Sequence, residues 1–216
     1  MKTRLPSRRR EPVAGLILLA SIVAVMWIVE VINALDGYGL DSDGLYARNV
    51  GRLWGIFTAP FLHGSWPHLI DNTIPFVFMG VIIALRGAAR LALVTLIVIV
   101  LGGLGTWLIA PGNAVTIGAS GVVCGYASYL LTRGLFNRSW LEILVGVIVG
   151  VVWGGALASS LVPHYGVSWQ AHACGAVAGV LAAAMLARPH AKAKPGSAAP
   201  TDAMSRALAW DPSRTK

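Results

Sequence analysis

The chain has 216 residues, of which 56% are hydrophobic and only 12% are charged. Soluble domains carry about 25% charged residues, so this composition excludes an ordinary soluble enzyme, a disordered chain and a collagen-like one. Two Cys residues are too few for a secreted disulfide scaffold, and a net charge of +8 raises a nucleic-acid partner only until the placement of that charge is considered.

A helix needs about 20 mostly apolar residues to cross a bilayer. Between Glu11 and Glu30 lie 18 residues without a charge, which predicts a first span near 13–35. It is too long and ends too polar for a cleaved signal peptide. The next apolar run, 72–85, reaches spanning length only by starting near Trp66, which draws His68, Asp71 and Asn72 to the membrane edge. Between Arg90 and Arg133 run 42 uncharged residues, twice one span, broken by the turn signal Pro111-Gly112-Asn113. Between Glu142 and Arg188 run another 45, interrupted at Pro163-His164-Tyr165-Gly166. The expectation is an all-α, polytopic membrane protein with six transmembrane helices, near 13–35, 66–85, 91–110, 117–133, 142–162 and 169–187. A basic N-terminus (1–12) and a low-complexity, disordered basic tail (188–216) flank the membrane domain (13–187). Trp210 is a weak candidate for an interfacial anchor. The loop 36–55, rich in Gly, is expected to be irregular and partly ordered.

With the N-terminus inside, the segments 1–12, 86–90, 133–141 and 188–216 are cytoplasmic and hold 5, 2, 2 and 6 of the 17 Lys/Arg. The outer loops hold only Arg48 and Arg52. This asymmetry is the positive-inside signal. It predicts a multi-pass cell-membrane protein with both termini cytoplasmic, and it accounts for the basic excess without nucleic acid. Arg8-Arg9-Arg10 is placed to touch anionic lipid of the bilayer.

Polar residues at membrane depth are costly and mark function. In this orientation the second, fourth and sixth helices all start at the outer face. The second opens with His63-Gly-Ser-Trp-Pro-His68-Leu-Ile-Asp71-Asn72, the fourth with Gly118-Ala-Ser120-Gly121, the sixth with Ser168-Trp-Gln-Ala-His172. Nucleophilic acyl transfer needs a serine and a base to take its proton, and Ser120 and His172 lie at equal depth. Gly121/Gly125 and Gly175/Gly179 are small-xxx-small pairs that permit the close helix approach required. No Asp or Glu lies in the fourth or sixth helix, so a hydrolase built here is a Ser–His dyad. His68 and Asn72, four apart on one helix face, can donate to an oxyanion together with backbone N–H groups. His63 lies upstream of the helix and braces the loop. Each residue also has a bland reading: Ser120 bonded to its own helix backbone, His172 packed, Asn72 cross-linking helices. Convergence at one depth is what favours a site. Glu30 and Asp71, at helix ends, are expected to be solvated or paired, and Gly146, Gly150 and Gly154 form a packing or dimerisation stripe. A metal site from His172, Cys174 and Cys124 is weak, because Cys174 stands about 200° around the helix from His172 at ~100° per residue, and no cofactor is expected.

These residues resemble the rhomboid family of intramembrane serine proteases over roughly residues 48–187. Gly118-Ala119-Ser120-Gly121 is similar to the family's Gly-x-Ser-Gly, which carries the nucleophile. His172-Ala-Cys-Gly175-Ala-Val-Ala-Gly179 is similar to its His-x-x-Gly-x-x-x-Gly, which carries the base. His63-x4-His68-x3-Asn72 is similar to its second-helix motif, and the resemblance implies that His68 and Asn72 line the oxyanion hole. There are departures: Ile83 stands where the family often has Glu, Cys124 where it often has an aromatic ring packed on the imidazole, and the Trp-Arg pair of some members is absent. The resemblance implies a serine endopeptidase that cuts transmembrane protein substrates near the outer face. A non-proteolytic rhomboid-like protein that binds membrane helices and a proton-coupled transporter using His68 and His172 are the rival readings. The first is expected to have lost Ser or His. The second is expected to carry intramembrane carboxylates and broken helices in matching halves. Oligomeric state and natural substrate are left open by the sequence.

Overall fold

A computed structural model describes residues 7–112, 114–163 and 166–187, with side chains from residue 11 onward. The tail from residue 188 and the anchor proposed at Trp210 lie outside the described residues. Six long helices follow one another: α1 (Ser7–Leu35), α2 (Trp66–Ala84), α3 (Ala88–Ile109), α4 (Ser120–Asn137), α5 (Trp140–Ser160) and α6 (Trp169–Met185). All six expected spans are present as helices, with shifted ends. The first begins at Ser7 rather than near 13, and the fourth runs from 120 to 137 rather than 117 to 133.

The starts of α2 and α6 are set locally. Ser65 caps α2 by accepting a hydrogen bond from the His68 N–H at 3.4 Å, with Pro67 in the first turn. Ser168 caps α6 in the same way, accepting from the Ala171 N–H at 3.4 Å. Each cap therefore fixes the entry of a helix whose first turns carry a histidine.

Four helices, α1, α2, α3 and α5, are long and apolar enough to cross a membrane by composition. α4 is not among them because it is the hub: Val122, Val123, Tyr126, Ala127, Tyr129 and Leu130 are all buried. Its hydroxyl side chains Ser120, Ser128 and Thr132 are all at least partly buried. Its core partners are Leu69, Phe76 and Met79 of α2, Leu91 and Val94 of α3, and Ala178 and Ala182 of α6. The Phe76 and Tyr126 rings meet at 5.2 Å between centroids. α5 lies at the opposite extreme. Only 17% of its apolar window is buried, and Val147, Val151 and Val152 face outward. Gly146 and Gly150 seat it on Leu130 and Leu131 of α4, while Gly154 faces open space, so the glycine stripe is a packing seam over part of its length.

Three features go beyond expectation or depart from it. α3 contains a π-helical segment, Val98–Gly102, whose extra residue brings Val98 against Gly125 and Gly102 against Gly175. The loop 36–55, without long regular elements as expected, is nevertheless tied down by specific contacts. Its strand β1 (Leu45–Tyr46) pairs antiparallel with β2 (Val115–Thr116), in the register Leu45 to Thr116. Arg52 stacks on Tyr46 at 4.5 Å and on Trp54 at 5.1 Å while pairing with Asp43 at 3.1 Å. Arg48 donates to the carbonyls of Leu108 and Ala110 at 3.0 and 2.8 Å. Glu30, finally, is neither solvated nor at an exposed helix end. It is fully buried, beside Asn33, because α1 packs this face on the rest of the bundle.

At the other end of the bundle, Glu142 accepts from Arg86 and from Asn137 (2.6 Å) and lies 3.8 Å from the buried Arg133. The α2–α3 and α4–α5 turns are tied together there. Ile83 is fully buried in the core.

Candidate active site

Ser120 is the first residue of α4, and His172 stands in the first turn of α6. Their approach depends on four glycines. A Cβ on Gly175 would collide with the Gly121 carbonyl, and one on Gly179 with the Gly125 carbonyl, so α4 and α6 run backbone against backbone. A Cβ on Gly121 would meet the Ala171 carbonyl at 3.2 Å. With the helices this close, Ser120 Oγ lies 2.7 Å from His172 Nε2. Any larger residue in the seam would lengthen that contact.

His172 is buried, and its other nitrogen is occupied: Nδ1 lies 2.7 Å from the backbone carbonyl of Ser160. A carbonyl can only accept, so Nδ1 carries the proton and Nε2 is left as the acceptor for the Ser120 hydroxyl. Ser160 closes α5, and the last carbonyls of a helix have no intrahelical partner. This residue was not anticipated from sequence. The signal available was topological, since α5 ends on the side of the bundle where α2, α4 and α6 begin. Cys124 is also buried, with Sγ 3.9 Å from Ser160 Oγ. It therefore packs behind the residue that holds the imidazole.

The donors come from α2. Gly118, at φ 109°, takes a backbone conformation that favours glycine, and a Cβ there would lie 2.8 Å from His68 Nε2 and 3.6 Å from Asn72 Nδ2. His68 and Asn72 thus reach over the turn that precedes Ser120. Asn72 is buried, and its Nδ2 has no hydrogen-bond partner among the described residues. His63 is fully buried outside the helix. Its Nε2 accepts from the Ala119 N–H at 3.3 Å, and its ring meets His68 edge-on at 5.0 Å. Burial and the neighbouring His68 push the His63 imidazole down to about 4 from 6.5, which keeps it a neutral acceptor. Cys174, by contrast, points at Gly105 of α3, away from this cluster. Among the described residues no three His, Cys, Asp or Glu converge as metal ligands.

Ser120 and His172 open on a cavity of about 550 Å³ bounded mainly by α2, α5 and the two helix starts. Asn72, Asp71 and Pro75 line one wall, and Trp153, Leu157 and Ser160 line the other. A hydroxyl hydrogen-bonded to a tautomer-locked imidazole, with an amide donor unpaired among the described residues beside it and an accessible cavity in front, has the parts needed for acyl transfer.

Comparison with known proteins identifies the family of the chain. Residues 50–189 match the family model of the Rhomboid domain. An uncharacterised protein of Mycobacterium tuberculosis (strain ATCC 25618 / H37Rv) is 42% identical over 200 residues, covering 89% of this chain and 83% of that one. Rhomboid-like protein 11, chloroplastic, of Arabidopsis thaliana is 34% identical over 114 residues, covering 52% of this chain and 40% of its own. A candidate rhomboid protease of Bacillus subtilis (strain 168), YdcA, is 30% identical over 135 residues, covering 60% and 66%. The chain is a multi-pass membrane protein that belongs to the rhomboid family.

Proposed function

We propose that this protein is an intramembrane serine endopeptidase that cleaves transmembrane protein substrates near the outer face of the cell membrane. In this reading both termini are cytoplasmic, as the distribution of Lys and Arg implies. The observation that carries it is the 2.7 Å contact between Ser120 Oγ and His172 Nε2, with Nδ1 held by the Ser160 carbonyl.

In the first half-reaction Ser120 Oγ attacks the scissile carbonyl and its proton passes to His172 Nε2. The partial negative charge at the C-terminal end of α5 favours the imidazolium that forms. The oxyanion is met by Asn72 Nδ2, by the His68 ring and by the Ser120 N–H, which lies in a first helical turn where N–H groups lack intrahelical partners. His172 then gives its proton to the leaving amine as the C–N bond breaks, which leaves an ester on Ser120. In the second half-reaction His172 takes a proton from water, the resulting hydroxide attacks the ester, and the proton returns to Ser120 Oγ as the C–O bond breaks.

A fluorophosphonate probe on the detergent-solubilised protein, together with cleavage of a transmembrane peptide, tests this. Wild type is expected to be labelled and to cleave. Ser120→Ala and His172→Ala are expected to do neither while remaining folded. A wild-type protein that is never labelled and binds helices without cutting them would instead support a non-proteolytic helix-binding role. Undiminished cleavage by Ser120→Ala would remove the dyad.

A further inference from the structure

One charged side chain in the cavity has no part in the chemistry above. Asp71 is exposed on the cavity wall, in the turn of α2 between His68 and Asn72. Among the described lining residues it is the one carboxylate, and no Lys or Arg lines the cavity with it. Its carboxylate has no ion-pair partner among the described residues. The facing wall, from α5, presents the apolar Trp153, Ala156 and Leu157 before it ends in Ser159 and Ser160. A cavity lined by one sign of charge with low-dielectric walls focuses its field on whatever enters.

We propose that Asp71 is a specificity-determining residue that selects substrate segments carrying a Lys or Arg side chain within a few residues of the scissile bond. The proposal rests on the proteolytic reading above for its placement beside the scissile bond. An ammonium offers three donors and a guanidinium five, and either cation complements a carboxylate that has no ion-pair partner among the described residues. The charge also discriminates. Basic residues are depleted on the outer flanks of membrane helices, so in the proposed orientation an outer Lys or Arg is an uncommon mark. A carboxylate in the site would then set a small subset of single-span proteins apart and repel segments bearing Asp or Glu.

The test uses a set of transmembrane peptides with Lys, Gln or Glu scanned through the residues flanking the cleavage site. Binding is measured on the full-length Ser120→Ala protein, which cannot turn over, and kcat/KM on the wild type. At one or more positions Lys is expected to exceed Glu by about tenfold in affinity and in kcat/KM, as for a partly desolvated charge pair. Adding Asp71→Asn should collapse the preference, and Asp71→Lys should invert it in favour of Glu. Equal binding of Lys and Glu peptides, or a preference that survives both substitutions, overturns the proposal. Failure of the proteolytic reading looks different: the wild type would neither cut the peptides nor take the fluorophosphonate, while the binding preference and its dependence on Asp71 would persist.

Discussion

The Nδ1 of His172 lies 2.7 Å from the backbone carbonyl of Ser160, twelve residues earlier in the chain and on a different helix. A main-chain acceptor here does what a third carboxylate does in a triad, fixing the tautomer and the ring orientation. It also makes the base depend on α5, the helix with the smallest buried share among the apolar spans.

That dependence separates side chain from backbone. Ser160→Ala leaves the accepting carbonyl in place and is expected to keep the fluorophosphonate labelling rate within about fivefold of wild type, because a neutral hydrogen bond lost at the Oγ is worth only ~1 kcal/mol. Ser160→Pro removes the N–H that closes the last turn of α5 and shifts the carbonyl. Labelling should fall about 100-fold, the cost of a misplacement on the order of 1 Å. Equal rates for the two variants would show that the carbonyl does not orient His172.

Asn72 Nδ2 is buried without a partner among the described residues, so removing it sacrifices no hydrogen bond seen there. Asn72→Ala is expected to change thermal stability by less than about 2 kcal/mol while kcat falls by ~10²–10³, as for loss of one oxyanion donor. His68→Ala should behave similarly. Parallel loss of stability and activity, measured by thermal unfolding and turnover on the same samples, would mark both residues as structural.

Gly175→Ala places a methyl against the Gly121 carbonyl, with backbone on both sides and no flexible group to yield. The helices must separate, at about 1–3 kcal/mol for overpacking, and Ser120 moves away from His172. Melting temperature and labelling rate should drop together. Gly154→Ala, facing open space on α5, serves as the control and should leave both unchanged.

The His63 imidazole titrates near 4 in the folded protein against 6.5 ordinarily, because it is buried beside His68. The unfolded chain therefore binds more protons between those values, and stability falls as pH drops from 6.5 towards 4. The contribution is fully present above 6.5. The loss across the window is roughly 3 kcal/mol at ~1.4 kcal/mol per pH unit. Melting temperature against pH should show this slope in wild type and a shallower one in His63→Gln. Identical slopes would exclude His63 as its source.

The number and placement of the six long helices were legible in the sequence, because a charge-free run of given length has one economical fate in a bilayer. The equal depth of Ser120, His172, His68 and Asn72 was legible too, since each follows a helix start on one side of the bundle. Hydropathy does not distinguish a lipid-facing helix from a protein-facing one, so the central position of α4 came only from packing. The same holds for Glu30, polar by sequence yet sealed by α1, and for Asp71, which is unremarkable until α5 makes a cavity in front of it. The partner of His172 Nδ1 was hidden for a deeper reason. It is a backbone carbonyl, and every residue has one. Which carbonyl is free, and where it points, depends on where a helix ends and what it packs against, and both are properties of the folded chain.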